Sequence, residues 1–281
     1  MVHSDLEPIA IGICQAEGFT FEGRAGAGAF KQTFRVRHAS HDLALKIYHP
    51  GHSVERAQRE IDAMTRCDHP NIAKILRIAT HTSVAGQFAF SLEEFLPGGT
   101  LTGRLATTGT YRREQLDELA VPLLSALVHL AALRLVHRDI KPDNVMLRQD
   151  GATPVIVDFG LVRDLSAVSI TPSWAMHGPG TPLFASPEQL HNQKPMIDWR
   201  ADQFSLGVVL SYCLLGSHPY CEAGDTPAQV VARVAARSGV SPGFRLAAQA
   251  AGIPVVAKMC APWPYERVTR ADALLAAWTQ Q

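Results

Sequence analysis

His137-Arg138-Asp139-Ile140-Lys141-Pro142-Asp143-Asn144, followed by Val145-Met146-Leu147 and then by Val155-Ile156-Val157-Asp158-Phe159-Gly160, is the stretch on which the reading of this chain turns. Phosphoryl transfer asks a protein for positioning of the acceptor hydroxyl and cancellation of charge on the phosphates. Asp139 can orient a hydroxyl and accept its proton, and Lys141, two residues on, can reach a transferring phosphate. Asn144 and Asp158 offer oxygen ligands of the hard kind that suits Mg²⁺. Four side chains of that chemistry, in that order, point to a metal-assisted phosphotransferase.

Before this stretch, short runs rich in β-branched and aromatic residues, Phe19–Arg24, Thr33–His38, Leu43–Tyr48 and about Phe88–Glu94, read as strands. One helix interrupts them, from Ser53 as N-cap to Arg66, with His69-Pro70 beyond its end. Pro97-Gly98-Gly99 reads as a flexible joint. After it the pattern turns helical. Leu116, Leu119, Leu123, Leu127 and Leu130 form one apolar stripe, with Pro122 expected to bend the helix or lie near its start. Phe204–Leu215 is apolar almost throughout and implies a helix buried on all sides. Thr269-Arg270-Ala271-Asp272 reads as a capping box opening the last helix.

The 281 residues, 47% of them apolar, suffice for one domain or two joined lobes. Lys plus Arg balances Asp plus Glu at 26 each, which speaks against a nucleic-acid partner held through phosphates. No run approaches the roughly 20 consecutive apolar residues of a membrane span. Met1–Pro8 carries no cationic-then-apolar signal pattern. The five cysteines are scattered without metal-ligand spacing. The expectation is a cytoplasmic protein with buried or incidental thiols.

The stretch from His137 to Gly160 resembles, residue for residue, the catalytic loop and DFG motif of eukaryotic-type (Hanks-type) serine/threonine protein kinases. The resemblance runs from about Phe19 to Trp278. It implies an α+β, bilobal protein kinase fold: a β-rich N-lobe with one helix (about 19–96), a hinge (about 94–99) and a mainly helical C-lobe (about 100–281), with 1–18 as an N-terminal extension. It implies ATP and Mg²⁺ as cofactors and a protein substrate with a serine or threonine acceptor. Lys46, in Leu43-Ala44-Leu45-Lys46, is similar to the strand lysine that holds the α- and β-phosphates, and Glu60 to the helix glutamate that pairs with it. Gly26-Ala27-Gly28-Ala29-Phe30-Lys31 is similar to the glycine-rich loop, where a missing Cβ lets backbone N–H groups approach phosphate. Lys31 stands there in place of the third glycine, and Thr33 in place of the usual valine. The backbone of Glu94 and Leu96 would bond the adenine edge, with Ala44 and Met146 as apolar walls. Glu93 falls at the gatekeeper position, where an ionised carboxylate is costly unless paired or hydrated.

Gly180-Thr181-Pro182-Leu183-Phe184-Ala185-Ser186-Pro187-Glu188 resembles the substrate-docking loop, and Lys141 and Thr181 match the serine/threonine branch. Asp202 and Gly207 match the anchor of the buried helix, Arg267 the arginine that pairs with Glu188, and His137 a packing residue under Phe159. Arg138 implies a phosphate on the activation segment as its counter-charge, with Ser166, Ser169, Thr171 and Ser173 as candidate sites, and a regulatory protein partner is a further candidate. A pseudokinase serving as a nucleotide-responsive binding module and a small-molecule phosphotransferase stand as alternatives.

Overall fold

The computed structural model describes residues 5–28, 31–49, 65–158, 163–164 and 181–281. Glu60 and most of the helix expected over 53–66 lie outside these residues. So do Phe159, Gly160, Ser166, Ser169, Thr171 and Ser173. The chain divides into two compact units, residues 1–68 with 73–96 and residues 69–72 with 97–281.

The first unit is a five-stranded antiparallel sheet of β1 (Thr20–Ala27), β2 (Lys31–His38), β3 (His41–Tyr48), β4 (Ile75–Ser83) and β5 (Gly86–Glu94), in the order β1-β2-β3-β5-β4. β4 is a strand the sequence reading did not name. Strand alternation sends Leu45, Ile47, Phe90 and Leu92 into one core with Phe34 and Val36. It leaves Ala44, Lys46, Ser91 and Glu93 on the opposite face of β3 and β5. The core is closed by α1 (Glu7–Glu17), whose Ile9, Ala10 and Ile13 pack with Leu6 and Cys14. Glu7 and Pro8 start this helix, and Gly18 ends it at φ 74° in the left-handed region. From Leu6 onward, therefore, the segment read as an extension is part of the first unit's core.

The second unit is mainly helical: α2 (Leu101–Thr108), α3 (Arg113–Ala132), α4 (Pro187–Leu190), α5 (Trp199–Leu215), α6 (Pro227–Ala235), α7 (Pro242–Ala250), α8 (Pro254–Met259) and α9 (Ala271–Thr279). Two short antiparallel ladders join β6 (Leu135–Val136) to β9 (Arg163–Asp164) and β7 (Val145–Leu147) to β8 (Pro154–Ile156). The α+β class read from the sequence holds. The leucine stripe of α3 is buried as expected, and Pro122 lies well inside that helix rather than near its start. Among the described residues α3 is the one helix long and apolar enough to cross a membrane, but its leucines face the core. α5 is buried on all sides, and a Cβ at Gly207 would come within 2.7 Å of Cys260 Sγ.

Two local expectations are corrected. Pro97-Gly98-Gly99 is not a free joint on the second unit's side: Gly98 N–H donates to Leu147 C=O, and Leu147 N–H donates to Gly99 C=O. A Cβ at Gly98 would lie 2.2 Å from the Arg148 carbonyl oxygen, so close backbone approach requires the glycine. The capping box at Thr269 does not form either. α9 starts after Arg270 with no side-chain cap, because the Arg270 guanidinium takes the Asp272 carboxylate.

Candidate active site

The candidate residues fall in both units, and each group is built within its own. In the first unit the β1–β2 turn closes with Gly28 N–H donating to Lys31 C=O. A Cβ at Gly26 would meet nothing within 4 Å, and one at Gly28 only the Lys31 carbonyl at 3.7 Å, so packing gives no reason for either glycine. Lys31 is the first residue of β2, opposite Tyr48, and its Nζ lies 5.5 Å from the Tyr48 ring centroid. It is therefore strand-held rather than loop-borne.

Lys46 is buried, and its Nζ lies 2.6 Å from Glu93 Oε2. Ser91 Oγ donates to the other carboxylate oxygen of Glu93 at 2.9 Å. The carboxylate at the gatekeeper position is thus paired and hydrogen-bonded, which resolves the cost of burying it. Glu60, the expected partner of Lys46, lies outside the described residues. Ala44 and Leu96 are buried and Glu94 is half-buried, its backbone N–H donating to Lys74 C=O.

In the second unit the catalytic loop is assembled around Asp139. Its Oδ2 accepts from Lys141 Nζ at 2.9 Å and from Asn144 Nδ2 at 2.8 Å. Asn144 Nδ2 also donates to the Asp139 carbonyl. Asp139 Oδ1 is buried, and no hydrogen bond from the described residues reaches it. Arg138 has φ 72° and Asp158 φ 68°, values uncommon outside glycine. Such backbone persists where surroundings over-determine it. Asp202, near the start of α5, supplies that constraint at Arg138 by accepting the backbone N–H groups of His137 and Arg138, each at 2.7 Å. Burial pushes its carboxyl up to about 7, against the pull of those two N–H donors.

His137 is fully buried. Its Nε2 donates to Val157 C=O at 3.1 Å, while Nδ1 accepts from Asp139 N–H at 3.3 Å. Burial holds it below the usual histidine range, so it is a neutral strut and not a general base. Val157 N–H donates to Asn144 C=O, which ties the strand leading to Asp158 to the loop carrying Asn144. Met146, in β7, is half-buried. The Asn144 side-chain oxygen and the Asp158 carboxylate are donors of the hard kind that Mg²⁺ takes, and Mg²⁺ bound with phosphates needs only one or two protein ligands. Among the described residues no cluster of three histidine, cysteine or acidic side chains could hold a metal alone.

The segment read as substrate-docking begins with a 3₁₀ turn, Thr181–Phe184, in which only the backbone of Thr181 is described. The pairing inferred for Glu188 is present. Arg267 Nη1 and Nη2 donate to the two carboxylate oxygens at 2.6 and 2.9 Å, with both side chains fully buried.

The protein kinase domain family matches residues 19–279 of this sequence. The chain belongs to that family. It is 28% identical to serine/threonine-protein kinase C of Synechocystis sp. over 72% of this chain and 39% of that protein. It is 26% identical to ribosomal protein S6 kinase alpha-2 of Homo sapiens over 93% of this chain and 35% of that protein. The chain spans 25–39% of the length of the curated relatives it matches.

Four residues of this kinase domain do work that the sequence reading missed. Glu93 becomes the partner of Lys46, and Ser91 the partner of Glu93, only through the β3–β5 register. Gln189 Nε2 donates to the Arg138 carbonyl at 2.8 Å, fastening the docking segment to the catalytic loop. Its Oε1 accepts from Ser186 N–H and Oγ, a Ser-x-x-Gln capping pattern legible in sequence. His218 Nε2 donates to Leu183 C=O at 3.0 Å and so anchors the docking turn; no sequence signal marks it.

Proposed function

We propose that this kinase domain transfers the γ-phosphate of Mg-ATP to serine or threonine hydroxyls of a protein substrate. The observation that carries the reading is the asymmetry of Asp139. One carboxylate oxygen is fixed by Lys141 and Asn144, while the other is buried and receives no hydrogen bond from the described residues. A substrate hydroxyl fits that need. Asp139 Oδ1 accepts its hydrogen bond and takes its proton as the hydroxyl oxygen bonds to the γ-phosphorus and the bond to the bridging oxygen breaks, leaving ADP. Lys141, held to Asp139, faces the charge on the transferring group. Lys46 clamps the nucleotide phosphates, and the uncrowded Gly26 and Gly28 let the backbone approach them. Asn144 and Asp158 would hold Mg²⁺, which cancels phosphate charge when bound. Neither the pseudokinase nor the small-molecule alternative gains an observation.

The same reading includes autophosphorylation among Ser166, Ser169, Thr171 and Ser173, with Arg138 as the partner of the phosphate. It also includes a cytoplasmic setting, a regulatory protein partner, and no nucleic-acid or membrane partner. Incubation with labelled ATP, Mg²⁺ and generic protein substrates, followed by mass spectrometry of both proteins, tests it. Asp139→Asn should fold and bind nucleotide yet lose transfer by a factor of about 10²–10⁴. Transfer by that variant at the wild-type rate overturns the assignment.

A further inference from the structure

The β3–β5 ladder places Lys46 directly opposite Ser91 and Ala44 directly opposite Glu93. Each long side chain therefore faces a small one across the ladder. That leaves room for Lys46 and Glu93 to meet along the diagonal, a separation that long side chains bridge. They meet at 2.6 Å with side chains only 10% and 6% exposed. Ser91, fully buried, fixes the second oxygen of Glu93 and so sets the orientation of its carboxylate. β5 is paired on both sides, to β3 and β4, so Glu93 stands on a doubly supported strand.

We propose that Glu93, oriented by Ser91, is the positioning residue that holds the Lys46 ammonium for the nucleotide phosphates, from within the sheet itself. This role presupposes nucleotide binding at Lys46, as proposed above. An ammonium carries three donors, and the bond to Glu93 uses one of them. The other two remain for phosphate oxygens, so the ion pair and the phosphate clamp coexist. A carboxylate on a strand also fixes the lysine rotamer without reference to the segment carrying Glu60. The orientation of Lys46 is then built into the sheet.

The test is a double-mutant cycle of Glu93→Leu and Lys46→Met, with Glu93→Gln as the conservative variant. Folding is checked by thermal melting, Mg-ATP affinity is measured by calorimetry, and kcat and KM by steady-state transfer. Glu93→Leu should lower kcat/KM for ATP by about 10²-fold, the scale of a misplaced clamp. Glu93→Gln, which keeps an oxygen able to accept from Lys46, should lose about tenfold. In the Lys46→Met background, Glu93→Leu should change kcat/KM and affinity by less than about twofold, because Glu93 acts through Lys46. Equal losses in both backgrounds, wild-type kinetics for Glu93→Leu, or tighter Mg-ATP binding by it would each overturn the role. A wild-type chain that binds Mg-ATP without transferring phosphate removes the activity reading alone, and the cycle is then read on affinity. A wild-type chain that does not bind Mg-ATP overturns both.

Discussion

Arg267 is the side chain whose loss should cost this domain most. It is fully buried and all five of its N–H donors are used. Two go to the Glu188 carboxylate, and Nε donates to Ala261 C=O at 2.8 Å. Nη1 also donates to Arg200 C=O at 2.8 Å, and Nη2 makes a long bond to Pro262 C=O. The guanidinium carbon lies 5.0 Å from the Phe204 ring centroid. One residue thus joins the docking helix α4, the buried helix α5 and the loop after α8. Arg267→Met fills much of the volume but strands a carboxylate with no exposure, and three carbonyls lose a donor. Breaking a buried pair from one side costs about 3–5 kcal/mol, and the unpaired carbonyls put the loss at the top of that range or above. Total stabilities run at about 5–15 kcal/mol, so Arg267→Met should lower the melting temperature by about 10 °C or more. Glu188→Leu should be nearly as damaging, because it leaves the cation buried. The double variant should recover part of the sum, with a coupling of at least about 2 kcal/mol in a urea-denaturation cycle. Additive losses, or an Arg267→Met protein within about 1 kcal/mol of wild type, would refute the argument.

Two further outcomes follow. Burial lowers His218 to about 4 from an ordinary 6.5, and its Nδ1 accepts from Tyr220 N–H, so it folds neutral. Between those values the unfolded chain binds the extra proton, so stability should fall as pH drops from about 6.5 to 4, by about 3 kcal/mol from this group. His218→Gln should flatten that part of the acid limb; superposed denaturation curves across the window would remove the explanation. Lys46→Ala should lower phosphorylation by about two orders of magnitude, and Lys31→Ala, whose ammonium lies near the Tyr48 ring, by about tenfold or less. If steady-state kinetics show Lys31→Ala as the inactive enzyme, the two lysines have exchanged roles.

The catalytic loop was legible because phosphoryl transfer needs particular side chains at short sequence spacing, and Asp139, Lys141 and Asn144 lie within one turn of chain. The α+β class and the buried helix were legible because strand alternation and unbroken apolar runs are local signals. Pairing across distance was legible only where the family resemblance supplied it, as for Glu188 with Arg267; local signals gave none. Glu93 reads as an awkward carboxylate until the β3–β5 register lays it diagonally beside Lys46, with Ser91 behind it. The resemblance marks Asp202 as an anchor of the buried helix, but what it holds is decided only where α5 brings it beneath the strained turn at Arg138. Gly98 reads as freedom of the backbone, whereas the approach of Arg148 demands it. The sequence by itself determined which chemical groups this kinase domain carries and in what order. Tertiary structure decided which of them meet, because partners remote in sequence are chosen by strand register and helix packing rather than by the residues beside them.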